Sequence, residues 1–144
     1  MKISIIIPCY NEVKTLNLIV EKIINKRNLD KEIIIVDDFS DDGTRDIIKN
    51  ELSEKVTKIL YNDKNYGKGY SVRKGISVST GDIVLIQDAD LEYSPDDYEK
   101  LLKPILDGHA DVVYGSRFKS SEITRVLYFW HTLGNKFLTL FSNM

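Results

Sequence analysis

The chain has 144 residues, of which 42% are hydrophobic and 29% are charged, a balance typical of one soluble globular domain. Its formal net charge is -2, so the composition argues against a nucleic-acid partner. The single cysteine, Cys9, excludes an internal disulfide and fits a reducing compartment, so we expect a cytoplasmic location.

Apolar runs along the chain are too short for a membrane span. No run reaches the roughly 18 apolar residues that cross a bilayer, and residues 3–7 are too few for a signal peptide. Any membrane contact is therefore expected to be peripheral, at the cytoplasmic face of the membrane.

Strands and helices are predicted to alternate along the chain. Short β-branched apolar runs predict strands, and apolar residues spaced three or four apart predict helices. The predicted strands are 3–7, 33–36, 56–61, 83–86 and 111–114, with helices after each of the first four. Ser94 and Pro95 are expected to begin the last of these helices, as a cap and a first helical residue. This order predicts an α/β fold with a mostly parallel sheet flanked by helices.

The C-terminal segment differs in composition from the rest. Residues 121–144 are dense in aromatic and apolar side chains, including Tyr128, Phe129 and Trp130. We expect residues 1–120 to form the α/β core and residues 121–144 to form an apolar helix. A helix of this kind needs a partner surface, so residues 123–141 are expected to contact a membrane or a second subunit.

Three of the predicted strands end in polar clusters. These are residues 8–12, the pair Asp37 and Asp38, and the pair Asp88 and Asp90. Because ligands bind outside the carboxyl ends of strands in open α/β sheets, the three clusters are expected to meet at one edge.

Asp88 and Asp90 are two residues apart, which in an extended backbone places both carboxylates on one face. Such a pair repels unless a cation lies between the carboxylates, and oxygen ligands suit Mg²⁺ or Mn²⁺. Acids at strand ends are often solvated turn residues. The position after a buried strand, beside two other polar strand ends, favours the metal site here.

Two further features are candidates for phosphate contacts. The loop 65–69 contains Gly67, Lys68 and Gly69, and presents backbone N–H groups and a lysine. It lacks the Walker spacing, so a P-loop NTPase is not expected. Arg117 follows the last predicted strand and is either an anion contact or a surface residue.

Five motifs in order carry a resemblance to a known family. They lie at residues 5–12, 36–44, 65–69, 88–90 and 115–118. Together they resemble the family 2 glycosyltransferases of the GT-A fold, and within them the polyprenyl- and dolichol-phosphate sugar synthases.

The resemblance implies inverting transfer of a sugar from a nucleoside diphosphate (UDP or GDP) to a lipid phosphate, with Mg²⁺ or Mn²⁺. Asp38 matches the acid that contacts the base, and Asp90 matches the direct metal ligand. The residues expected to bind the donor are Pro8, Tyr10, Glu12, Asp37, Asp38, Lys68, Gly69 and Asp88. The expected metal ligands are Asp88, Asp90 and Glu92, and the expected catalytic residues are Asp90 and Arg117.

The resemblance also implies that acceptor-side residues lie beyond residue 143, so the chain is expected to be truncated at its C-terminus. A lipid phosphate has its second pKa at about 6 and is mostly ionised at pH 7, so it needs little base catalysis.

Two alternative functions remain. One is a nucleotide-sugar-binding remnant or subunit without transferase activity. The other is a nucleotidyltransferase, although residues 8–12 lack the glycine-rich, arginine-containing loop that such enzymes show after the first strand.

Overall fold

The computed structural model describes residues 1–115. Residues 1–100 form one compact unit of the chain, and a second unit begins at Leu101. The apolar helix and the boundary at residue 120 both fall outside the described residues, as do Arg117 and the segment 123–141.

Strands and helices alternate as the apolar pattern predicts. The strands are β1 (Ile3–Cys9), β2 (Lys31–Asp37), β3 (Lys58–Tyr61) and β4 (Ile83–Ile86). The helices are α1 (Leu16–Ile24), α2 (Thr44–Ile47), α3 (Lys68–Ser77) and α4 (Tyr98–Leu106). A π-helical turn (Ile48–Leu52) continues α2, and a 3-10 turn (Pro95–Asp97) leads into α4. Within residues 1–115, no helix is both long enough and apolar enough to span a bilayer.

All four strands are parallel and lie in the order β3-β2-β1-β4. Ile5, Ile6 and Ile7 of β1 are fully buried, as expected for the central strand of a sheet covered on both faces. The chain builds outward from β1 to β2 and β3, and then returns to the other side of β1 to form β4. The strand order therefore reverses next to β1, and such a switch point leaves a crevice at the carboxyl ends of the strands.

Helix α3 makes the return crossing and packs closely on the sheet, against β1 and β2. Gly75 allows this approach, because a Cβ atom at that position would lie 2.5 Å from Cγ2 of Ile6. The start of α3 is thereby held near the carboxyl edge of the sheet.

The predicted strand at residues 111–114 is not formed. These residues have no strand structure and no place in the four-stranded sheet. Val112 is 64% exposed and Tyr114 is 90% exposed, so their apolar side chains are not buried as a central strand requires. The apolar composition of this segment alone was an insufficient indicator of a strand.

Candidate functional site: an acidic cleft at the sheet edge

A cleft with a volume of about 200 Å³ opens at the carboxyl ends of β1, β2 and β4. Among the described residues, its lining comprises Pro8, Cys9, Tyr10, Glu12, Asp38, Lys68, Ser71, Asp88, Ala89 and Asp90. Seven of these are residues that the sequence motifs select for the donor or the metal. The cleft lies where the strand order reverses, so the topology and the motifs indicate the same place.

The acidic motif lies in a loop and not on an extended strand. Strand β4 ends at Ile86, and Ala89 and Asp90 form a turn. Leu91 follows with a φ of 63°, in the left-handed region that non-glycine residues rarely adopt. Asp88 and Asp90 therefore both reach the cleft because the loop turns there, and not because of the strand alternation expected from their spacing.

Lys68 forms an ion pair across the cleft. Its Nζ lies 2.5 Å from Oδ1 and 2.7 Å from Oδ2 of Asp88, so it contacts both carboxylate oxygens. The Asp88 side chain is 20% exposed, whereas Asp90 is exposed and accepts a hydrogen bond from the Glu92 backbone N–H at 2.9 Å. Asp88 is thus held in place by a cation of the protein, while Asp90 faces solvent.

Asp38 organises the loop that precedes α3. Its Oδ1 accepts hydrogen bonds from Nδ2 of Asn62 at 2.7 Å and from the Tyr66 N–H at 2.9 Å, and its Oδ2 accepts from the Gly67 N–H at 2.7 Å. Burial acts to raise the pKa of Asp38, but these hydrogen bonds outweigh it and hold the pKa below the ordinary value. Asp38 therefore lines the cleft as a carboxylate and fixes the start of α3.

Asp37 has a different environment from its neighbour. Its carboxylate is fully buried, pairs with Nε of Arg45 at 2.6 Å and accepts weaker bonds from the Ser40 N–H. Asp37 is not among the residues that line the cleft. Its contacts indicate a structural role, and its expected contact with the donor stays a prediction.

Gly69 and Glu92 also lie outside the cleft lining. Gly69 is inside α3, one residue beyond Lys68, and a Cβ atom there would have no atom within 4 Å. Glu92 is exposed and follows the left-handed turn at Leu91, and its backbone N–H donates to Oδ1 of Asp90 at 2.9 Å. Glu92 does not line the cleft, and its expected role as a metal ligand stays a prediction.

The motif at residues 40–44 holds the loop after β1. Oγ of Ser40 accepts from the Asn11 N–H at 3.0 Å, and Oγ1 of Thr44 accepts from the Glu12 N–H at 2.9 Å. These side chains give partners to backbone groups that a loop would otherwise leave unpaired. The position of Tyr10 and Glu12 at the cleft thus depends on a second motif 30 residues later in the chain.

Two buried polar residues that support the cleft are absent from the sequence-based candidates. Asn62 is 2% exposed and donates Nδ2 to Asp38 and to Oγ of Ser71. Gln87 is 2% exposed and bonds the backbone of the acidic loop. Both directly follow a strand, so applying the strand-end rule to amides as well as acids would have found them.

Three further lining residues are not among the sequence-based candidates, namely Cys9, Ser71 and Ala89. Burial raises the pKa of Cys9, so its thiol stays protonated.

The cleft is strongly acidic. Among the described lining residues there are four carboxylates, from Glu12, Asp38, Asp88 and Asp90, and one basic side chain, from Lys68. Within residues 1–115, no three acidic, histidine or cysteine side chains form a metal site by themselves. A divalent cation here would need other oxygen ligands, which is how Mg²⁺ is usually held, by one or two carboxylates with water and substrate phosphates.

Comparison with known proteins identifies relatives of the whole region. The chain is 35% identical over 119 residues to a dolichol-phosphate mannosyltransferase of Pyrococcus furiosus, which covers 82% of this chain and 34% of that protein. TarS 1-349 of S. aureus, solved with UDP-GlcNAc, has a TM-score of 0.63 at 26% identity, over 76% of this chain and 32% of that one. The mannosyltransferase PcManGT of Pyrobaculum calidifontis, solved with GDP-Man and Mn²⁺, has a TM-score of 0.59 at 25% identity, over 66% of this chain and 29% of that one.

The chain spans about a third of the length of these relatives. The structural likeness confirms the GT-A-like arrangement of a parallel sheet flanked by helices. A family profile described as "Glycosyl transferase family 2" matches residues 4–141, and this match favours a glycosyltransferase over a nucleotidyltransferase. The chain therefore belongs to glycosyl transferase family 2.

Proposed function

We propose that the acidic cleft binds a nucleoside diphosphate sugar together with a divalent cation, and that the protein transfers the sugar to a polyprenyl phosphate with inversion. The observation that carries this proposal is the meeting of Asp88, Asp90 and Lys68 in one cleft at the switch point of the sheet. The cleft places acids and a lysine beside each other, as a site for a metal-bound diphosphate requires.

The charge of the cleft supports a requirement for a cation. A diphosphate entering beside four carboxylates meets strong repulsion, which a single lysine does not offset. Asp90, exposed in the cleft, and Asp88 are the residues that would hold Mg²⁺ or Mn²⁺, with diphosphate oxygens completing the shell. When bound, the cation supplies positive charge that offsets the charge developing on the leaving diphosphate.

Lys68 and the start of α3 are suited to the diphosphate. Helix α3 has ten residues and begins at Lys68, with Gly67 as its cap. A helix N-terminus carries a partial positive charge and directs N–H groups outward, which favours phosphate oxygens. Lys68 is 61% exposed on its side chain and reaches Asp88 from this position, so a small movement of its amine brings it to a phosphate beside the acidic loop.

A lipid phosphate is the acceptor most consistent with these groups. The relative from Pyrococcus furiosus is named for a dolichol phosphate, and such a phosphate is already mostly ionised at pH 7. Its oxygen attacks the anomeric carbon as the bond to the donor diphosphate breaks, and the nucleoside diphosphate leaves with the bonding electrons. No general base is needed for that attack, which inverts the anomeric centre.

The test is calorimetric titration of UDP, GDP, UDP-GlcNAc and GDP-mannose into the chain, with Mn²⁺ and with EDTA. Sugar transfer to undecaprenyl phosphate is then assayed with the nucleotide sugar that binds. We expect at least one of the nucleotides to bind at least tenfold more tightly with Mn²⁺ than with EDTA. Absence of metal-dependent binding for all four compounds would contradict the proposal, and binding without transfer would indicate a donor-binding subunit.

Asp90→Asn tests the metal assignment, with Asp46→Asn as its matched control. Asp46 is an exposed acid in α2 and lies outside the cleft lining. We expect Asp90→Asn to remove most of the difference between Mn²⁺ and EDTA, and Asp46→Asn to leave it unchanged. An equal response from both variants would show that Asp90 is not the cation ligand.

A further inference from the structure

The side chain of Gln87 is buried directly before the acidic loop. Gln87 is 2% exposed, and its backbone N–H donates to the Ile6 carbonyl at 2.9 Å, which extends the pairing of β4 with β1. An apolar residue would fill the same space without the cost of burying an amide. A buried amide at this position therefore indicates a polar role, which its hydrogen-bond partners identify.

All the polar atoms of this amide have partners. Nε2 donates to the carbonyl of Asp88 at 2.9 Å and to the carbonyl of Tyr93 at 3.0 Å. One side chain thus ties together the two ends of the loop 88–93, which contains Asp90. The loop includes the left-handed turn at Leu91, a conformation that is unfavourable for a non-glycine residue and persists where the surroundings fix it.

Tyr98 determines which way the amide points. Its hydroxyl donates to Oε1 of Gln87 at 2.8 Å, and Tyr98 is 2% exposed. Burial raises the pKa of Tyr98, so the hydroxyl keeps the proton that it donates. With Oε1 occupied, Nε2 is directed to the two loop carbonyls, and a fully paired buried network of this kind specifies one geometry.

We propose that Gln87 and Tyr98 are positioning residues that hold the loop 88–93 in the shape in which Asp88 and Asp90 bind the cation and the donor diphosphate. Neither side chain lines the cleft, so each acts through the loop. This inference rests on the proposed function and adds two residues that the family motifs do not include.

Tyr98→Phe removes one hydroxyl and leaves the ring in place. The probes are UDP and GDP with Mn²⁺, which report the diphosphate side of the cleft, and uridine and guanosine without metal, which report the nucleoside side. We expect about tenfold weaker binding of the diphosphate with Mn²⁺, the effect of one ordinary hydrogen bond. Nucleoside binding is expected to change less than twofold.

Ser4→Ala is the control for a general loss of stability. Ser4 is fully buried and its Oγ donates to Glu32, away from the residues that line the cleft. We expect this variant to unfold at lower urea concentration and to bind Mn²⁺ with the diphosphate as wild type does. If Ser4→Ala weakens that binding as much as Tyr98→Phe does, the positioning role is overturned.

The double variant Gln87→Met with Tyr98→Phe separates packing from positioning even if the single variant folds poorly. Replacing both partners of the Tyr98–Gln87 hydrogen bond by apolar groups leaves neither of them unpaired, although the carbonyls of Asp88 and Tyr93 lose their donor. We expect it to recover part of the urea resistance that Tyr98→Phe loses and still bind the diphosphate with Mn²⁺ about tenfold more weakly. Recovery of both properties would overturn the inference. If wild type itself shows no metal-dependent binding, the proposed function fails, and this inference fails with it.

Discussion

Glu32→Gln removes a buried charge at the opposite edge of the sheet from the cleft. Glu32 is 2% exposed, and its carboxylate accepts from Oγ of Ser4 at 2.5 Å and from the Thr80 N–H at 2.5 Å. It also pairs with Nζ of Lys2 at 3.0 Å. These contacts join β1, β2 and the turn before β4, so we expect the loss of the charge to destabilise the fold.

The pKa of Glu32 gives the size of this effect. Burial acts to raise the pKa, but the hydrogen bonds from Ser4, Thr80 and Lys2 outweigh it and lower the pKa from 4.5 to about 2. Because the pKa is lower in the folded state, the carboxylate stabilises the fold above pH 4.5, and this contribution is lost as the pH falls toward 2. The shift corresponds to about 3 kcal/mol in the free energy of unfolding at pH 7.

Urea unfolding at pH 7, 5, 4 and 3 measures this contribution in wild type, Glu32→Gln and the control Glu54→Gln, which changes an exposed acid. We expect the difference between wild type and Glu32→Gln to be about 3 kcal/mol at pH 7 and to shrink steadily below pH 4.5. Glu54→Gln should match wild type within about 0.5 kcal/mol. A difference for Glu32→Gln that stays constant from pH 7 to pH 3 would refute the electrostatic explanation.

Three further changes test the packing of α3 and the organisation of the cleft. Gly75→Ala should lower the free energy of unfolding by about 1–3 kcal/mol, because its Cβ would meet Ile6. The control Gly69→Ala has open space around the new Cβ and should be neutral or stabilising, so equal urea midpoints for the two variants would contradict this reasoning. Asp38→Asn should lower the free energy of unfolding by about 2 kcal/mol, since an amide cannot accept all three hydrogen bonds that the carboxylate accepts. If this variant is as stable as wild type in the same urea titration, Asp38 does not organise the loop before α3. Lys68→Met should weaken nucleoside diphosphate binding at least tenfold in calorimetry with Mn²⁺, and unchanged affinity would exclude a phosphate contact.

The sheet and most of the cleft are predictable from the sequence because they follow from local patterns. The apolar runs of β1, β2 and β4 and the helical spacing of α1 appear in the structure where the patterns place them. The rule that ligands bind at strand ends then selects Tyr10, Asp38 and Asp88 correctly as cleft residues.

The remaining features depend on contacts between residues far apart in the chain. Asp37 and Asp38 are chemically identical neighbours, and only the positions of Arg45 and the Tyr66 N–H distinguish their roles. Gln87 has as its partner Tyr98, eleven residues later, which no local pattern indicates. The segment 111–114 has the composition of a strand, but pairing with a neighbour is a property of the fold and not of its own residues.

The central position of β1 has a consequence for how the protein folds. It pairs with β2, which follows soon in the chain, and with β4, whose Ile83 lies beside Ile3 although the two are eighty residues apart. Contacts of such high sequence separation close large loops and slow folding. During synthesis the loops that follow β1 and β2 can form early, whereas the acidic loop has no fixed position until β4 has emerged and paired. The acidic side of the cleft is therefore expected to be the last part of it to become ordered.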